Sequence, residues 1–144
     1  MNDRFKFRFY DLDKKIMIKP SDEMSDEEWK NVCNTYGQDE WYWCIEGAMP
    51  TILDYFDYDD YHKKHFAIMQ CTGLKDKNGK LIYEGDIVKI FHISSTMQGR
   101  EYKSTVVYNP SKARYELDNY GAFYEDDIYE VIGNIYKNAE LLEE

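Results

Sequence analysis

The dipeptide Asn78-Gly79, set between Thr72-Gly73-Leu74-Lys75-Asp76-Lys77 and Lys80-Leu81-Ile82-Tyr83, most constrains what this chain can become. Asn-Gly between apolar runs is the strongest short-range hairpin signal. A two-residue type I′ turn needs positive φ at both central positions, and these two residues tolerate it. A second turn signal, Gly85-Asp86, follows at once and opens an apolar strand from Ile87 to Ile93. Two turns this close in sequence commit the middle of the chain to antiparallel β-structure.

The flanking segments extend that reading. Ala67 to Cys71 reads as a strand entering the hairpin. Thr105 to Tyr108 returns through Asn109-Pro110-Ser111-Lys112 to Arg114–Leu117, and Tyr129 to Tyr136 is a last strand with Gly133 as a bulge or a point of close approach. Toward the amino terminus, Phe5, Phe7 and Phe9 alternate with Lys6, Arg8 and Tyr10, the pattern of a half-buried strand. Ile16-Met17-Ile18 supplies its partner after the turn residues Asp11 to Lys15. Ser25-Asp26-Glu27-Glu28 has the form of a capping box, and Trp29, Val32, Cys33 and Tyr36 follow at helical spacing. The expected fold is therefore β-rich α+β. A hairpin and short helix form a lobe over residues 1–66, and a small SH3-like β-barrel occupies 67–144.

Composition narrows the function. A net charge of −10 with acidic residues in both halves opposes binding to phosphate backbones. Lys75, Lys77, Lys80 and Lys89 give only a local basic patch, so nucleic acid is a disfavoured partner. The three cysteines include no Cys-x-x-Cys pair, which fits a reducing compartment rather than a disulfide framework. No apolar run is long enough to span a bilayer, and the expected setting is cytoplasmic, without a membrane partner.

No catalytic constellation stands out, and no cofactor motif is present. The glycines of the central block do not make a phosphate loop, because Lys80 is followed by Leu81 and a strand rather than by a hydroxyl residue and a helix. His62 and His65, with Asp57, Asp59 and Asp60 nearby, are the best metal candidates and would serve a metal-assisted hydrolase built on 54–65. Lys63 and Lys64 lie between them and disfavour a cation. Cys33, Cys44 and Cys71 fall on expected apolar faces, where a thiol packs rather than reacts. The run Trp41-Tyr42-Trp43 offers binding candidates, since tryptophan and tyrosine anchor interfaces, although the same residues are suited to a core. Asn78, Gly79, Gly85 and Asp86 are read as structural turn residues.

Three blocks together carry a family resemblance. Thr72 to Lys80 with Ile82-Tyr83-Glu84-Gly85-Asp86-Ile87-Val88 resembles the central signature of the YopX family. Glu130-Val131-Ile132-Gly133-Asn134-Ile135-Tyr136-Lys137-Asn138 is similar to its closing motif, and Lys6-Phe7-Arg8-Phe9-Tyr10-Asp11 to its opening, with Phe9-Tyr10 where Ala-Trp is more common. The resemblance implies a protein of phages and prophages of Gram-positive bacteria, acting in the cytoplasm of the host. It supplies no catalytic residues. The expected role is a non-enzymatic interaction or self-assembling module, whose partner is a host or phage protein or a second copy of the chain.

Overall fold

The computed structural model describes residues 6–36, 66–91, 101–125 and 127–143. Its strands form two antiparallel sheets, ordered β2-β1-β3-β4 and β7-β6-β5-β8. The chain divides into two compact units, Met1–Gln70 and Cys71–Glu144.

In the first unit, β1 (Phe7–Asp11) pairs antiparallel with β2 (Ile16–Ile18) on one side and with the start of β3 (Phe66–Lys75) on the other. The β1–β2 turn is built by Asp11, whose carboxylate accepts from the amides of Asp13 and Lys14, and it closes with Lys15 at φ 58°. β1 departs from the half-buried pattern that its alternation predicts. Arg8, Phe9, Tyr10 and Asp11 are all buried, because β1 is flanked by strands and covered on both faces. Phe9 packs with Ile18, Val32 and Phe66, while Tyr10 packs with Met17 and Met69. Arg8 is tolerated inside because its guanidinium reaches Glu23 at 3.1 Å; burying such a charge requires a partner.

Helix α1 (Asp26–Tyr36) is the one α-helix among the described residues. Its start is the reciprocal capping box that the sequence predicts. The Glu28 amide donates to Ser25 Oγ at 3.2 Å, and the Ser25 amide donates to the Glu28 carboxylate at 3.3 Å. Val32, rather than Trp29, is the deepest residue of the helix. Glu28 also pairs with Lys19 at 2.9 Å, and that bond is the main cause holding its carboxyl below the usual range. No helix among the described residues is long and apolar enough to cross a membrane.

The second unit holds the end of β3, then β4 (Leu81–Tyr83), β5 (Asp86–Phe91), β6 (Glu101–Asn109), β7 (Arg114–Leu117) and β8 (Ile128–Asn134). β5 is the central strand, pairing with β6 and β8. Period-two alternation in register puts Val88, Ile90, Val106, Leu117 and Tyr129 on one face, where Ile82 joins them in the core. The β5–β8 register slips between Ile87 and Val88, opposite Gly133 and Val131. Gly133 is also a point of close approach: a Cβ there would lie 2.8 Å from Asn138 Cβ.

The β3–β4 turn is not the type I′ turn that Asn-Gly predicts. Gly79 has φ +80°, but Asn78 is not at positive φ. The Gly79 amide donates to Asp76 O at 3.0 Å, so the tight turn runs Asp76 to Gly79 and Gly79 follows it in the left-handed region. That is the longer hairpin loop with a glycine bulge. Asp76 selects it, since its carboxylate accepts from both the Asn78 and Lys80 amides at 2.9 Å.

Removing the helix cap tests the local reading. Ser25→Ala is expected to lower stability by about 1 kcal/mol, measured by denaturant unfolding. The depressed Glu28 carboxyl contributes stability that is present above the ordinary carboxylate range and is lost as pH falls through its lowered value. Lys19→Ala, which removes the main cause, should accordingly differ from the parent less in acid than at neutral pH.

Candidate functional site

The two signature blocks meet inside the second unit, and their meeting is structural. Gly85, at φ +86°, lets the chain reverse between β4 and β5. Its amide donates to Val106 O at 2.8 Å, and its carbonyl accepts from Ile135 at 2.9 Å. Asp86 is 1% exposed. One carboxylate oxygen accepts from the Tyr83 amide at 2.8 Å, closing the turn, and the other accepts from Asn134 Nδ2 at 3.3 Å. Asn134 in turn accepts from the Tyr136 amide at 2.9 Å and donates its own amide to Asn138 Oδ1 at 3.1 Å. A buried carboxylate here ties a turn to the end of a strand distant in sequence.

Asp76 plays the same part at the edge of the sheet. Its second oxygen accepts from the Val131 amide at 3.0 Å, and the Lys77 amide donates to Tyr129 O at 2.9 Å. The β3–β4 loop thus covers the outer edge of β8. Two members of the local lysine patch meet carboxylates here: Lys77 pairs with Glu130 and lies over the Phe91 ring, and Lys89 approaches Glu101 at 4.0 Å.

The remaining chemistry of the unit is aromatic. The core face of the sheet also carries Tyr102, Tyr108 and Tyr115, and the chain after β7 adds Tyr120, Phe123 and Tyr124. Tyr108 meets Tyr115 edge-on at 5.2 Å, Tyr120 meets Tyr102 at 5.3 Å, and Phe123 meets Tyr129 at 5.0 Å. Tyr129 Oη accepts from the Tyr124 amide at 2.7 Å. Of these, Tyr108 at 46%, Tyr120 at 41% and Tyr124 at 61% remain exposed. The rings of Tyr108 and Tyr120 are thus each set against a more buried tyrosine, which leaves them presented to solvent in a restrained position, while Tyr124 is tied to Tyr129 through its backbone. Burial, with Glu84, Tyr108 and Cys71 nearby, pushes the Tyr115 phenol up to about 12. Burial likewise raises Tyr129 and Tyr136.

Trp41, Tyr42, Trp43, Cys44, His62 and His65, with Asp57, Asp59 and Asp60, lie outside the described residues. Among the described residues no group of three or more His, Cys, Asp or Glu side chains is placed to hold a metal ion. Cys71 is buried and Cys33 half-buried. Asn78 and Gly79 stand exposed at the loop tip, and Gly85 and Asp86 form the turn already described. Sequence reasoning missed Asp76 and Asn134 as linchpins and the tyrosines of 102–124 as a set. The signal was present for Tyr108 and Tyr115, which sit at core-face positions of two strands already expected, whereas Tyr102 lies on a part of β6 that begins before the expected Thr105.

The family model described as YopX protein matches residues 6–143. Among solved structures, the crystal structure of protein EF1440 from Enterococcus faecalis is 26% identical, with a TM-score of 0.53 over 95% of this chain and 96% of that one. The crystal structure of protein yopX from Bacillus subtilis is also 26% identical, with a TM-score of 0.34 over 55% of this chain and 61% of that one. No curated protein matches.

Two measurements test this geometry. Asp86→Ala and Asn134→Ala are each expected to destabilise by about 2–3 kcal/mol, because each leaves buried polar groups unsatisfied. Their double-mutant cycle should show a coupling of about 1 kcal/mol or more; additive losses would show that the two side chains act separately. In a spectrophotometric titration, Tyr115 should ionise among the last of the tyrosines, and Tyr115→Phe should remove that late step. Folding favours its neutral form, so the associated stability is complete below the ordinary tyrosine value of about 10. It is lost as pH rises through about 12.

Proposed function

Because the chain belongs to the YopX protein family, we propose that it is a phage- or prophage-borne accessory protein that works by binding rather than by catalysis in the cytoplasm of its bacterial host. In this reading the second unit is an SH3-like barrel. The partner is a host or phage protein with a basic surface, engaged through the exposed tyrosines of the β6–β7 region. The observation that carries the proposal is the set Tyr108, Tyr120 and Tyr124, all exposed, with the rings of Tyr108 and Tyr120 braced by an aromatic neighbour and the backbone of Tyr124 tied to Tyr129. Rings held in place lose little conformational freedom on binding, and tyrosine is among the residues enriched at energetic centres of interfaces. The net charge of −10 favours a cationic partner and speeds encounter with it.

A pull-down from host lysate tests the proposal, comparing the tagged parent with a Tyr108→Ser, Tyr120→Ser, Tyr124→Ser variant of unchanged melting temperature. The expected result is one protein captured at near-stoichiometric yield by the parent and lost with the variant. Equal capture by both would remove the tyrosines from the interface. A parent that recovers only itself as an oligomer, or only a metal or nucleotide, would overturn the proposal of a heterologous partner.

A further inference from the structure

We propose that Asn78 is a site of spontaneous covalent modification, deamidation to aspartate and isoaspartate, and that the Asp76-centred loop sets its rate. Asn78 and Gly79 are both exposed. Among the described residues no hydrogen bond holds the Asn78 carboxamide, the contacts of this residue being made by its backbone amide. Gly79 carries no Cβ to shield its nitrogen, and the space where one would stand is open to 4 Å.

The reaction needs only these two residues and water. The Gly79 nitrogen loses its proton and attacks Asn78 Cγ, forming a C–N bond and closing a five-membered imide. The side-chain nitrogen leaves as ammonia, taking up the released proton. One water then opens the imide. Cleavage between Cγ and the Gly79 nitrogen gives aspartate, and cleavage between the Asn78 backbone carbonyl carbon and that nitrogen gives isoaspartate. One water is consumed, one ammonia is released and nothing is oxidised or reduced.

The loop restrains the first step. The Gly79 N–H is engaged with Asp76 O at 3.0 Å and the Asn78 N–H with Asp76 Oδ1 at 2.9 Å. Bringing the Gly79 nitrogen onto Cγ requires rotating the peptide between Asn78 and Gly79, which breaks the first of these bonds. Reaction therefore proceeds from the locally opened loop. The consequence reaches beyond the tip. Isoaspartate inserts a methylene into the main chain and adds a carboxylate beside Asp76. Lys80, whose amide donates to Asp76 Oδ1, is then displaced, and the same carboxylate holds Val131 of β8.

The test uses the full chain, aged in mildly alkaline buffer with and without denaturing urea, then digested and read by mass spectrometry with enzymatic isoaspartate labelling. Conversion at Asn78 is expected to run several-fold ahead of Asn31, Asn34, Asn119 and Asn138, and several-fold faster again in urea. Conversion at Asn78 no faster than at the other asparagines in urea would overturn the site. Equal rates with and without urea would overturn the restraint by the loop. The aged isoaspartyl form, separated by ion exchange, should melt lower than an Asn78→Asp variant, which gains the same charge with an ordinary backbone. Identical melting would overturn the structural consequence.

Discussion

The second unit depends on two buried carboxylates that accept from backbone amides. Its turns are tight, so N–H groups fall where no neighbouring strand can take them. A buried amide without a partner is destabilising by an amount comparable to a lost hydrogen bond. Asp76 answers three such amides, those of Asn78, Lys80 and Val131. Asp86 answers that of Tyr83 and receives Asn134. Each joins a local turn to β8, so the hairpin, the central strand and the last strand hold one another in register. An alanine at either place would leave those amides without this partner.

What could be read from the sequence divides by the range of the interaction. The capping box at Ser25 was fully readable because both halves lie within one helical turn. The β6–β7 hairpin was readable for the same reason, its two strands being separated only by Pro110 to Ala113. The Asn-Gly turn was located but its type was not, because the choice rests on the Asp76 carboxylate two residues before Asn78 rather than on the dipeptide. Arg8 misled in the opposite way. Alternation placed it on a solvent face, and only a residue fifteen positions on, Glu23, makes its burial tolerable. The Asp86–Asn134 pair spans 48 residues and the Asp76–Val131 contact 55, and no local pattern announces either.

That division also separates scaffold from surface. The blocks Thr72 to Val88 and Glu130 to Asn138, two of the three that carry the family resemblance, are spent on turns, buried carboxylates and a glycine pressed against Asn138. Such residues maintain a fold and leave its use open. The tyrosines of β6, β7 and the following turn lie outside both blocks, on a face whose centre is core and whose margin is exposed.

The state of the sheet edges decides between two ways such a unit can bind. Strand addition requires an open edge with its amides and carbonyls available. On one side of the second sheet, β8 meets the β3–β4 loop at Tyr129 O and the Val131 amide. On the other, β7 is four residues long, its Glu116 gathers Arg114 and Asn109, and its last residue exchanges hydrogen bonds with Gly121. A short, charged, partly consumed edge is a poor template for another chain. With one edge covered at these positions and the other blunted, main-chain pairing along this sheet is disfavoured, which supports the proposed recognition through exposed side chains.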